Sequence, residues 1–160
     1  MRFLKNYIKR IIDSLYSVKL NGKTTYGIDG DQWTIYESYF TENSVIVSGG
    51  AGKDISFEKD LINSFQSKIL LFDPSPTGIE TYNNCDQSEK VKMTYFNKGI
   101  FGENGYFPFN DPLNIDEGSY FIDTSVTSDR EAGFECLSLT TICKDNNIDR
   151  INLLKIDIEG

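Results

Sequence analysis

The chain of 160 residues contains no histidine, and its three cysteines, Cys85, Cys136 and Cys143, stand far apart with no CxxC pair. That leaves no ligand set for a zinc site, and no metal is expected. The thiols read as reduced side chains of a cytoplasmic protein. No stretch approaches the roughly 20 apolar residues needed to span a bilayer. From Met1 to Ser17 the apolar residues are interrupted by Lys5, Asn6, Lys9, Arg10 and Asp13, so the continuous core of a signal peptide is missing as well. Basic residues are also short in number. With 16 Lys and Arg against 24 Asp and Glu the net charge is −8, which repels a phosphate backbone and argues against nucleic acid as a partner.

What is present suffices for a folded domain. Hydrophobic residues make up 39% and charged residues 25%, far from the signature of disorder, and a chain of this length can bury one sizeable core. Leu4, Ile8, Ile11, Ile12 and Leu15 recur at helical spacing and predict an amphipathic helix docked on its own domain. Asn21-Gly22, between Val18-Lys19-Leu20 and Lys23-Thr24-Thr25-Tyr26, predicts a β-hairpin. Residues 1–43 thus form an extension of helix and hairpin, and residues 44–160 the main domain.

Ser44-Val45-Ile46-Val47 is a β-branched run that ends in Ser48-Gly49-Gly50-Ala51-Gly52, and Phe57, Leu61, Ile62 and Phe65 then follow at helical spacing. A second apolar run, Lys68-Ile69-Leu70-Leu71-Phe72, stops at Asp73-Pro74. Strand, glycine loop, helix and strand make a βαβ unit with a right-handed crossover. In such a unit glycines let a ligand approach the backbone, and an acidic residue at the tip of the second strand, about 20 residues on, accepts ribose hydroxyls. Asp73 stands 21 positions after Gly52. A nucleoside-containing cofactor is therefore expected. With Gly50 and Gly52 as the first two glycines of a GxGxxG fingerprint, Ile55 occupies the third, which argues against NAD(P) and favours S-adenosylmethionine, a cofactor without phosphate.

Val91 to Phe96 predicts a third strand, Asn104-Gly105 a hairpin opening an antiparallel excursion, and Ser119 to Asp123 further strand. Ser138 caps a predicted helix through Leu139, Ile142 and Cys143 that ends near Asn146-Asn147. Ile151 to Ile158 predicts a fourth strand suited by its apolar residues to the middle of a sheet.

Four stretches, Tyr26-Gly27 through Trp33, Ser48 through Phe57, Phe72-Asp73-Pro74-Ser75-Pro76, and Leu153-Leu154-Lys155-Ile156-Asp157-Ile158-Glu159-Gly160, together resemble the FkbM-type methyltransferases in order and spacing. The resemblance covers about residues 26–160. It implies an α/β, Rossmann-like class I methyltransferase fold, a mostly parallel sheet of order 3-2-1-4-5-7-6 with helices on both faces. It also implies methyl transfer from S-adenosylmethionine, usually to oxygen, with a small-molecule or carbohydrate acceptor. Gly49, Gly50, Ala51, Gly52, Asp73 and Pro74 correspond to the cofactor motifs, and Asp157 and Glu159 to the acidic signature after the fourth strand. Asp157, Glu159 and Lys155 are the groups expected to serve as base if the acceptor arrives protonated. The family's motif continues beyond this point, so the resemblance implies a chain truncated after its fourth strand, whose open edge predicts self-association. Two other readings are a non-catalytic remnant of such a domain and an NAD(P)-dependent or nucleotide-sugar enzyme.

Overall fold

The computed structural model describes residues 22–110, 120–122 and 133–157. An antiparallel ribbon comes first, β1 (Lys23–Tyr26) against β2 (Trp33–Tyr36), with Lys23 opposite Tyr36 and Tyr26 opposite Trp33. The expected hairpin partner of β1, residues 18–20, and the amphipathic helix before it lie outside the described residues. Gly27 opens the turn at φ +96°, where a Cβ would stand 2.6 Å from the Asp31 carbonyl oxygen. The turn is tied to the helix that follows. Gly27 N–H donates to Asp60 Oδ2 and Ile28 N–H to Ser56 Oγ, both at 2.9 Å.

The main unit runs β3 (Val45–Gly49), α1 (Ser56–Phe65), β4 (Lys68–Phe72), α2 (Pro76–Asn83), α3 (Gln87–Lys90) and β5 (Met93–Phe96). An excursion of short strands follows: β6 (Gly99–Ile100), β7 (Gly105–Asn110), β8 (Phe121–Ile122) and β9 (Gly133–Leu137). Then α4 (Leu139–Asp145) leads back to β10 (Leu153–Ile156). Four strands form one sheet in the order β10-β3-β4-β5, parallel at every pairing. Counted as strands 1 to 4 from β3, β4, β5 and β10, this is the 3-2-1-4 arrangement expected at the start of the sheet.

The apolar runs of β3 and β4 are explained by burial on both faces. Ile46, Ile69, Leu71 and Met93 pack against Phe57, Leu61 and Ile62 of α1, and Ile35 of the ribbon joins the same cluster. On the other face Val47, Leu70 and Phe72 meet Ile100 of β6 and Ile142 of α4. Capping chemistry sets the helix ends. Gln66 closes α1 in the left-handed region at φ 56°. Ser75 accepts the Gly78 N–H at the start of α2, with Pro76 as its first residue. Asp86 and Glu89 form a capping box on α3, and Ser138 caps α4 as expected.

Two expectations change. The third strand starts at Met93, because Val91 closes α3 and is 80% exposed. Asn104-Gly105 does not close a hairpin between successive strands: β6 runs parallel to β9, while β7 pairs antiparallel with both β8 and β9. The Asn104 amide is instead engaged with the start of α4, donating to Thr141 Oγ1 at 2.7 Å and accepting the Ser138 N–H at 2.8 Å. The antiparallel excursion itself is present. As expected of the fourth strand, β10 lies at the edge of the sheet, and its Leu154 and Ile156 are 41% and 40% exposed. Among the described residues no helix is long and apolar enough to cross a membrane.

Leu61 is fully buried where α1 meets the sheet. Leu61→Ala should lower unfolding free energy by about 2–5 kcal/mol, the cost of an aliphatic core truncation, measured as a fall in the urea midpoint at unchanged slope.

Candidate functional site

The parallel strands end level with one another, and the chemistry gathers at their C-terminal ends. Beyond the last paired residues the ladder continues through Gly50 N–H to the Phe72 carbonyl (2.9 Å), Asp73 N–H to the Phe96 carbonyl (3.2 Å) and Asp157 N–H to the Gly49 carbonyl (2.9 Å). Strand order reverses between β3 and β10, and ligands of open α/β sheets sit in the crevice outside such a reversal. Gly49 to Gly52 and Asp157 flank that reversal, and Asp73 adjoins it from β4.

Close approach and backbone shape both favour glycine in the loop. A Cβ on Gly49 would lie 3.1 Å from Ile100 Cδ1 and 3.4 Å from Ile156 Cδ1. Gly50 and Gly52 sit at φ +87° and +48°, the left-handed region. Around Gly52 there is open space, since a Cβ there would meet nothing within 4 Å. Ala51 is buried.

Asp73 holds the loop from one side. Its carboxylate is buried, and Oδ2 accepts the N–H groups of Ala51 (2.7 Å) and Gly52 (2.9 Å) while Oδ1 accepts that of Ser75 (2.7 Å). Three charge-assisted bonds offset the cost of burying the charge. The Tyr95 hydroxyl donates to the Asp73 carbonyl oxygen, and burial first, then the nearby Asp73 charge, holds that phenol well above its ordinary pKa. Thr81 Oγ1 donates to the Gly52 carbonyl at 2.7 Å. Pro74 is half-buried and packs beside Gly99 of β6.

Lys155 holds the loop from beneath. Only 4% of its side chain is exposed, and its ammonium lies 3.1 Å from the Gly50 carbonyl oxygen, 3.3 Å from Glu58 Oε1 and 3.5 Å from Asp157 Oδ2. It also stands over the Trp33 ring, 5.6 Å from the centroid. Glu58 is fully buried; its Oε1 accepts the Ser48 hydroxyl at 2.5 Å, and its Oε2 has no partner among the described residues. Asp157, with 56% of its side chain exposed, is the solvent-facing member of the cluster. Glu159 lies outside the described residues.

Thus the structure brings together Gly49, Gly50, Ala51, Gly52, Asp73, Lys155 and Asp157. Sequence reasoning missed Ser48, Glu58, Thr81 and Trp33. Glu58 carried a signal, since it precedes Leu61 and Ile62 by three and four residues and so falls on the apolar stripe of α1. Beside the loop, an open hollow of about 270 Å³ is lined by residues 53–56, Lys59, Thr81 and Asn84. Among the described residues no cluster could hold a metal ion. Burial pushes the Cys136 thiol up to about 11 and raises that of Cys85, so neither is poised as a nucleophile. Comparison of the chain with family models, curated proteins and solved structures returns no match.

Gly78 tests the position of the Asp73 carboxylate. A Cβ on Gly78 would lie 2.3 Å from Asp73 Cγ and 2.5 Å from its Oδ2. Replacing a helix glycine by alanine ordinarily stabilises by about 1 kcal/mol. Here Gly78→Ala should destabilise by about 1–3 kcal/mol, the range for overpacking, and calorimetry should show a lower melting temperature. A rise would mean that the carboxylate leaves that space free.

Proposed function

We propose that the chain carries the cofactor site of a Rossmann-like class I methyltransferase and binds S-adenosylmethionine at the C-terminal edge of its parallel sheet. The reaction is methyl transfer to an oxygen of a small-molecule or carbohydrate acceptor. The observation that carries this reading is the occupation of the Ala51 and Gly52 N–H groups by Asp73. In dinucleotide sites the glycine loop and the helix start behind it receive a pyrophosphate. A phosphate arriving here meets a carboxylate already seated on two loop donors, whereas a cationic sulfonium or ammonium meets charge of the opposite sign. Asp157 adds a second negative group at the rim. The 3-2-1-4 strand order and the motifs resembling FkbM-type methyltransferases support the same reading.

S-adenosylmethionine, when bound, supplies an electrophilic methyl group on sulfur. The residues of the chain do the rest. Gly50 and Gly52 keep the approach free of side chains, and Asp73 fixes the loop while retaining acceptor capacity beyond its three bonds, enough for a ribose hydroxyl. Asp157, open to solvent beside Gly49, takes the proton of an acceptor hydroxyl as its oxygen attacks. Lys155 is buried and already engaged, which leaves that role to Asp157 among the described groups.

Isothermal titration with S-adenosylhomocysteine and with NAD tests the assignment. S-adenosylhomocysteine should bind and NAD should not; retention of NAD in preference overturns the reading. Gly52→Val should abolish binding because the branched side chain enters the open space beside the loop, and Gly50→Val should do so by straining a backbone held at φ +87°. Asp73→Ala should weaken binding by about 1.5–3 kcal/mol, the range for hydrogen bonds to a charged group.

A further inference from the structure

A lysine of the edge strand β10 and a glutamate of α1 buried against each other call for an explanation, because such a pair is weak evidence for stability: apolar side chains of similar volume often serve as well or better. Here the pair has a specific contact. Lys155 reaches past Glu58 to the Gly50 carbonyl oxygen, at 3.1 Å, in the residue whose φ of +87° starts the loop. Glu58 is held in turn by the Ser48 hydroxyl on the strand that leads into that loop. The next two N–H groups, of Ala51 and Gly52, are drawn to Asp73. The 50–51 peptide is thus held at both ends, its carbonyl by a buried cation and its N–H by a buried anion that also takes the next N–H. Trp33 closes the lower side of the ammonium.

We propose that the buried Lys155–Glu58 pair is a clamp that sets the glycine loop in its ligand-receiving shape, with Lys155 a positioning residue that acts through the Gly50 carbonyl. The proposal rests on the loop being the ligand site, and it is independent of which ligand that is. Without the cation the Gly50 carbonyl loses its partner, and the 50–51 peptide is held by Asp73 alone. The loop then has to be ordered at the expense of binding.

The test uses the whole chain in four forms: parent, Lys155→Arg, Lys155→Met, and the double variant Lys155→Met with Glu58→Leu. The double variant removes both charges, so it folds where the single one leaves Glu58 buried and unpaired. Two readouts are taken, amide hydrogen exchange at Ala51 and Gly52, and affinity for S-adenosylhomocysteine. In the double variant the melting temperature should return to that of the parent. Exchange at Ala51 and Gly52 should still be faster by about tenfold, and affinity weaker by about the same factor, as expected for one lost hydrogen bond to a charged group. Lys155→Arg should recover part of both. If the double variant regains slow loop exchange together with stability, the pair is only a packing element and the proposal is overturned. If the parent fails to bind S-adenosylhomocysteine, the methyl-donor reading falls, while the exchange rates still decide the clamp.

Discussion

The carboxylate of Asp73 is the tie on which the C-terminal edge of the parallel sheet depends. It draws in the loop after β3 through Ala51 and Gly52, fixes its own continuation into α2 through Ser75, and fills the space that Gly78 leaves empty. Its backbone carbonyl receives the Tyr95 hydroxyl, which joins the end of β5 to the same knot. A buried carboxylate without partners would be costly, and backbone N–H groups left over at a strand end would be costly too. Bringing the two together settles both requirements with one side chain. The three adjacent strands therefore finish in a fixed relation, and the reversal between β3 and β10 inherits that rigidity.

Two smaller units brace this edge from opposite faces. On the α1 face the β1–β2 ribbon lays Tyr26 against Phe65 and Trp33 against Phe57, and its turn is bonded to the first and second turns of α1. On the other face β6 brings Ile100 so close to Gly49 that any Cβ there would press on its Cδ1 at 3.1 Å. The excursion after β5 is thus part of the wall of the site and has its own aromatic packing, with Phe101 on Phe107 and Phe134 between Phe109 and Tyr120. An element that looks like an insertion in the chain is structurally continuous with the loop it supports.

The main sheet was legible because its strands are near-continuous apolar runs bounded by glycine or proline, and because the Phe57, Leu61, Ile62 spacing can only be a helix face. Helices α2 and α3 were also written in the chain, as Ser75-Pro76 and as the Asp86 to Glu89 capping box, but both are short and weakly amphipathic, and periodicity does not register them. Strand β9 was hidden because Gly133, Phe134, Glu135, Cys136 and Leu137 lack a clean alternation, and their pairing with β7 spans a long stretch of chain. At the site, glycines and Asp73 were visible as residue types in the right order. What they do was not. That Asp73 would turn its charge onto the loop, and that Lys155 would pass beneath the sheet to Gly50 and Glu58, are relations across 22 and 105 positions that no local pattern encodes.

Trp33 is the single tryptophan of the chain, and it packs against Phe57 with the Lys155 ammonium above its ring. The indole is therefore one contact removed from the Gly50 carbonyl, close enough to sense the field of that ammonium. Any event that shifts the ammonium changes the electrostatic field at the chromophore, while the other aromatic residues emit at shorter wavelengths. A rearrangement of the glycine loop that moved the ammonium would therefore register at this one indole, in solution and without a label.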